Sequence, residues 1–273
     1  LNTLNTFIGY QHEINLVKGF MEKISGVIIT FNEEKNIERC VTSLQAICDE
    51  IVVVDSFSTD KTEEICKSLG VKFIKNPFAG HIEQKNYALD KASYHYVLSL
   101  DADECLDKNL QESISKVKNS FSYDCYSFNR LNNYAGKWIK HCGWYPDKKI
   151  RLFNKTKAKW GGVNPHDIIT PSTDATIKHI QGDLLHYSYP TISSHITQTN
   201  KFTTIAAKAA FNDGVKSSML KIITRSSLKF FRDFFIKKGF LDGKYGIIIC
   251  TINAMSVFLK YSKIKELQEG KEI

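Results

Sequence analysis

Four short runs of apolar and β-branched residues punctuate positions 24–100: ISGVIITF, EIVVVD, VKFIKN and YVLSL. Each is about one strand long, and each is followed by a stretch with helical spacing. After the first, NEEKNIERCVTSLQAI sets Ile37, Val41, Leu44 and Ile47 three or four residues apart. STDKTEEICKSLG, IEQKNYALDKA and DKNLQESISKVKNSF follow the other three. Gly70 suits a helix C-terminus, Asp107 an N-cap and Asp60 a cap of the second helix. Strands that are apolar throughout need cover on both faces. The alternation therefore predicts a doubly wound, mainly parallel α/β sheet over about 24–120.

Ligands of such sheets bind beyond the carboxyl ends of the strands. Asn32 and Glu33, the DSFSTD run at 55–60 and the DADE run at 101–104 all lie just past such ends. The last is the most demanding. If the strand stays extended, Asp101 and Asp103 point the same way, and two like charges that close call for a cation. Mg²⁺ takes one or two carboxylates and completes its shell with water and phosphate oxygens. The small Ala102 would let a phosphorylated ligand approach the backbone. The plainer reading of the pair is a cap for the following helix.

Beyond 120 the pattern changes. Residues 121–190 hold all three Trp and short β-like pieces, read as a β-rich extension. From about 191 the chain reads as helical. Val215–Ile273 carries 12 Lys+Arg against 5 Asp+Glu, so most of the net charge of +8 sits there. Its longest apolar run, about Ile247–Leu259, is broken by Asn253 and shorter than the ~20 residues of a membrane span. Basic amphipathic helices on an anionic leaflet fit better, the plainer alternative being a basic helical face packed on the rest of the protein. The seven cysteines form no CxxC and no zinc spacing, which suggests reduced thiols in the cytosol. The polar first residues do not read as a signal peptide, and 1–23 reads as an upstream, flexible segment.

VIITFNEEKNIERCVTSL, DEIVVVDSFSTDKTEEI, QKNYAL and LSLDADE together resemble the nucleotide-sugar half of the inverting family-two glycosyltransferases of GT-A fold. WIKHCGWYPDKKIRLF, PHD at 165–167, LLHYSY and GFLDGKYG are similar to a narrower group. These are the bacterial lipopolysaccharide core β-glucosyltransferases, which act on inner-core heptose. Two positions depart from the pattern: Phe57 stands where the family usually has Gly, and Asp167 where the narrow group usually has Glu. The resemblance implies a catalytic domain over 24–190, with a nucleotide-sugar half at 24–120 and an acceptor half at 121–190. A basic helical region would follow at 191–273.

It also implies roles. Thr30, Asn32 and Glu33 would line the nucleotide pocket, Asp55 would take a hydrogen bond from uracil, and Lys85 would face the base or diphosphate. Asp101 would contact the ribose or a metal-bound water, and Asp103 would hold Mg²⁺ or Mn²⁺. Inversion needs a carboxylate base for the acceptor hydroxyl. Asp167 is favoured over Asp147, with His166 orienting it or the acceptor. Trp138, Trp144 and Tyr145 suit either stacking on sugar rings or core packing. His141, His186 and the serines show no nucleophile–base arrangement.

The implied activity is transfer of a hexose, glucose from UDP-glucose, to a lipopolysaccharide-type glycolipid on the inner face of the cytoplasmic membrane. Rival readings are transfer to another cell-surface polysaccharide and a non-catalytic sugar- or nucleotide-binding scaffold. A nucleic-acid binder is disfavoured, because Phe230, Phe231, Phe234 and Phe235 sit at helical spacing beside Leu and Ile rather than forming a stacking platform.

Overall fold

A computed structural model describes residues 22–163 and 166–273, the side chain of His166 excepted. The segment expected to be flexible, 1–23, lies almost wholly outside the described residues. The chain forms two compact units. One comprises the residues up to Asp101 with Lys108–Ser127 and Ile150–Ile180, and the other Ala102–Asp107, Phe128–Lys149 and Gln181–Ile273.

In the first unit, β1 (Ile24–Thr30), β2 (Glu50–Asp55), β3 (Lys72–Lys75) and β4 (Tyr96–Asp101) are parallel in the order β3-β2-β1-β4. The helices α1 (Ile37–Gln45), α2 (Thr62–Ser68) and α3 (His81–Lys91) connect them, as the alternation predicts, and α4 (Lys108–Lys118) follows. β1, β2 and β4 are buried almost throughout, as strands covered on both faces must be. Val27, Val52, Val54, Val97 and Ala88 pack in one cluster, each valine contributing about 1.5–3 kcal/mol by burial. Gly26, in mid-strand, lets α1 lie close on the sheet: a Cβ there would come within 3.1 Å of Cys48 Sγ and Leu44 Cδ1. The C-terminal part of β8 (Asp147–Asn154) continues the sheet antiparallel to β4, so the sheet is mixed beyond its parallel part. β9 (Ala158–Val163) and β10 (His166–Pro171) form a separate antiparallel pair.

α1 begins at Ile37 rather than near Asn32. Asn32 has φ of +55°, a left-handed conformation that Asn tolerates and a helix does not.

In the second unit, β6 (Cys125–Tyr134), whose first three residues belong to the first unit, lies beside β11 (Ile177–Tyr189). β5 (Glu104–Leu106) pairs antiparallel with β11, and β7 (Lys137–Ile139) with β6. The rest is helical, as expected: α5 (Ile192–Asn212), α6 (Met219–Phe231), a π turn (Arg232–Ile236), a 3₁₀ turn (Gly239–Asp242) and α7 (Lys244–Gln268). Thr191 and Ser194 form a reciprocal capping box at α5.

At 25 residues α7 is longer than the sequence suggests, and by length and composition it could cross a membrane. Asn253 does not break it, because its amide donates to Asp233. α7 packs against α5 and α6, and Lys263 on it donates to Asn200, Thr203 and Thr204 of α5. Gly246 on α7 accepts the close approach of the 3₁₀ turn. A Cβ there would fall 1.8 Å from the Gly239 carbonyl oxygen.

Candidate active site

The carboxyl ends of β1 and β2 are tied together by the residues singled out there. Asn32 accepts the Thr59 N–H at 2.8 Å, and its own N–H donates to Ser58 Oγ at 2.8 Å. The Glu33 N–H donates to Thr62 Oγ1, while its carboxylate accepts from Asn36 beside the start of α1. Asp60 accepts the Thr62 and Glu34 N–H groups, a helix-start role like the one expected of it. Asp55 is fully buried and accepts the Ser58 N–H and hydroxyl, pinning the loop after β2. Thr30 is also buried, and its hydroxyl is one of three buried side-chain polar atoms without a hydrogen-bond partner among the described residues. An unpaired buried hydroxyl costs about 1–3 kcal/mol. A ligand at the end of β1 would recover that cost.

Phe57 keeps the turn that glycine usually makes. Its φ is +63°, and the ring is 52% exposed. A left-handed non-glycine residue costs roughly 1–2 kcal/mol, of which glycine's extra unfolded-state freedom would return about half. Phe57→Gly should therefore raise the melting temperature by about 1–4 °C, and Phe57→Ala should not. A melting curve for each checks this.

The QKN run is explained residue by residue. Gln84 donates to Ser56 Oγ and accepts from Asn76, so it fixes the loops after β2 and β3. Asn86 exchanges two hydrogen bonds with the Trp160 backbone on β9. Lys85 between them is only 3% exposed. Its ammonium lies 2.7 Å from Asp101 Oδ1, 2.7 Å from Asp167 Oδ2 and 4.1 Å from the Trp160 ring centroid. Arg151 on β8 approaches the other Asp101 oxygen at 3.4 Å. Asp101, Asp167 and Lys85, named on sequence, thus meet in one cluster. Arg151 and Trp160 were missed, although a cation between Ile150 and Leu152 in a buried strand signals a paired charge.

Asp101 and Asp103 do not lie on one extended strand. β4 ends at Asp101, Ala102 and Asp103 form a turn, and β5 opens at Glu104. The period-2 argument for two carboxylates facing one spot therefore fails, and each meets different partners. Ala102 itself is buried.

In the second unit, Asp103 Oδ2 lies 3.1 Å from His186 Nε2 on β11. His186 Nδ1 is 2.7 Å from Asn132 Oδ1 on β6, so the ring lies between an amide oxygen and a carboxylate, two acceptors that favour a proton on each nitrogen. Burial disfavours a charged ring, yet the hydrogen bond and charge of Asp103 raise its pKa overall. Sequence reasoning passed His186 over. Among the described residues, no group of three or more His, Cys, Asp or Glu gathers as a ready-made metal cage. Asp103 is instead a single carboxylate oriented by the His186 ring.

The remaining named residues serve packing and ion pairs. Two Arg130 nitrogens, at 2.9 and 3.1 Å, and Lys149, at 3.1 Å, hold Asp147. Tyr145 donates to Asp183 and accepts from Asn129. Trp144 packs among Tyr134, Tyr189 and His195, and Trp138 edge-on to Tyr187. Buried Asp242, also missed, accepts the N–H groups of Lys140 and His141, linking the WIKHC and GFLDG segments. The His166 backbone pairs with Val163 at the start of β10, and its side chain lies outside the described residues.

The family model described as "Glycosyl transferase family 2" matches residues 25–173, more than half of the chain. The chain belongs to this family. An uncharacterized glycosyltransferase of Rickettsia typhi is 34% identical over 257 residues, covering 90% of this chain and 88% of the relative. The lipopolysaccharide core biosynthesis glycosyltransferase LpsC of Rhizobium meliloti is 28% identical over 252 residues, covering 88% and 91%. Among solved structures, residues 1–349 of S. aureus TarS align over 91% of this chain and 92% of that one, at 15% identity and a TM-score of 0.42.

Proposed function

We propose that this glycosyltransferase moves glucose, with inversion, from UDP-glucose to an inner-core heptose of lipopolysaccharide or a similar glycolipid, at the cytoplasmic face of the membrane. The observation that carries the reading is the shared ammonium of Lys85. It brings Asp101, at the carboxyl end of a parallel strand, and Asp167, the candidate base, to one point inside a family-2 chain. Similarity to LpsC along most of both chains supports the glycolipid acceptor.

The donor's diphosphate suits Lys85, which exchanges carboxylate partners for phosphate oxygens without leaving its place over Trp160. Once Lys85 turns to the diphosphate, Asp167 is released to accept the acceptor's proton. The unpaired Thr30 hydroxyl and the loop pinned by buried Asp55 suit the nucleoside at the ends of β1 and β2. Asp103, which pairs with His186, is the carboxylate that would hold Mg²⁺ or Mn²⁺. The chemistry such a cation would supply is stabilisation of negative charge on a leaving group. Asp101 serves that cation poorly, since Lys85 and Arg151 already hold it.

The test is transfer from a panel of UDP-sugars to heptose-terminated core glycolipid, read by mass spectrometry. A mass increase of one hexose from UDP-glucose is expected. No increase with any UDP-sugar would overturn the reading and favour a non-catalytic scaffold.

A further inference from the structure

α6 and the two turns after it present many of their large apolar residues to solvent. Leu220 is 74% exposed, Leu228 67% and Ile236 74%. Met219, Ile223, Phe231, Phe235, Phe240 and Leu241 are exposed as well. On α6 the spacing of 220, 223, 228 and 231 places these side chains along one side, and the stacked rings of Phe231 and Phe235 extend it into the π turn. The inward side of α6 carries Ile222, Ser226 and Phe230, while Leu220, Ile223, Leu228 and Phe231 face outward beside Thr224 and Ser227. A helix and turns that expose this many large apolar side chains together have a partner surface.

The charges around this face have one sign. Between Val215 and Lys244 stand eight Lys or Arg and two acids. Both acids are buried: Asp233 is held by Lys229, Arg232 and Asn253, and Asp242 by the 140–141 backbone. The exposed charge of the segment is therefore entirely positive, with Arg225, Arg232, Lys237, Lys238 and Lys244 interleaved with or flanking the apolar residues. A second copy of this chain would bring cations against cations. An anionic bilayer answers both features at once, because its headgroups take the cations while its acyl region takes Leu, Ile and Phe.

We infer that α6, the π turn and the 3₁₀ turn form a surface that lies in the interface of an anionic membrane, inserting Leu220, Leu228, Phe231, Phe235 and Ile236. α7 is the helix behind this surface rather than a span. Its Asn253 and Lys263 have partners in the π turn and in α5 that a crossing helix would have to give up. The glycolipid-acceptor reading gives the surface its purpose, but the geometry of the face does not depend on it.

The test is sedimentation of the full chain with vesicles of phosphatidylcholine, with and without 30–40% phosphatidylglycerol (composition of order ~1:2, chosen for a strong surface charge). Binding to the anionic vesicles should exceed binding to neutral ones at least about tenfold and weaken as salt rises. Phe231→Ser with Phe235→Ser should lower it about tenfold or more. Leu220→Gln with Leu228→Gln, at still more exposed positions, should do the same with no change in melting temperature. Transfer to a soluble acceptor fragment by these variants should stay normal, which separates failure of this surface from failure of the proposed reaction. Vesicle binding unchanged by both pairs would overturn the inference. So would a change from dimer to monomer in the variants with no vesicle binding by the parent, since the face would then be a contact between copies.

Discussion

Asp103→Ala is expected to bring sugar transfer down to the level of the chelated parent enzyme, and neither Mg²⁺ nor Mn²⁺ should restore it. The parent, stripped by chelator, should recover with either ion. The basis is local. Asp103 is a partly open carboxylate whose ion-pair partner is the His186 ring, whereas Asp101 is engaged by Lys85 and Arg151. Asn132 holds Nδ1 of that ring, which keeps Nε2 directed at Asp103. Asn132→Ala should therefore leave Asp103 in place but free the ring that orients it, and weaken metal affinity by about 10–100-fold, the usual effect of losing an outer partner. Calorimetry of UDP binding with and without Mn²⁺ separates the two variants. Asp103→Ala should lose the metal-dependent part of UDP affinity at every ion concentration, and Asn132→Ala should regain it at high concentration. Full transfer by Asp103→Ala, or by the chelated parent, would remove the metal from the mechanism.

The parallel strands were legible because burial on both faces writes itself into sequence as unbroken apolar runs. β1, β2 and β4 fall where ISGVIIT, EIVVVD and YVLSLD place them. The pairing of Asp103 with His186 was not legible, since it depends on the register of β11 against β5 across 83 residues. No local pattern encodes that register. The two aspartates misled for a related reason: alternation holds only while the strand continues, and the turn at Ala102–Asp103 ends it. Lys85 read as an ordinary surface lysine until the family pattern singled it out. Its burial follows from Gln84 and Asn86 anchoring α3 on either side. The membrane-facing reading of the C-terminal region rested on composition, which shows that cations and apolar residues mix. Composition does not show which of them face outward.

Asp167→Asn should lower transfer by roughly 10²–10⁴, the usual worth of a general base, while preserving the shape of the side chain. Its effect on the donor should be small and opposite in sign. Asp167 now competes for the Lys85 ammonium at 2.7 Å, so removing its charge leaves Lys85 freer to meet the diphosphate. UDP-glucose affinity should accordingly stay level or tighten. Slow hydrolysis of the donor to free sugar should persist, because stabilisation of the leaving group is untouched. The matched control is Asp147→Asn. Asp147 is bound by two Arg130 nitrogens and by Lys149, and Arg130 also lies 3.7 Å from buried Glu104. Arg130 and Lys149 already occupy both Asp147 oxygens, which leaves none open to an acceptor hydroxyl. Its loss should cost about 1–3 kcal/mol of stability and leave single-turnover chemistry nearly intact. Single-turnover rates at saturating donor and acceptor, set beside melting temperatures, distinguish the two. A selective rate loss in Asp147→Asn, with Asp167→Asn turning over normally, would exchange the assignments.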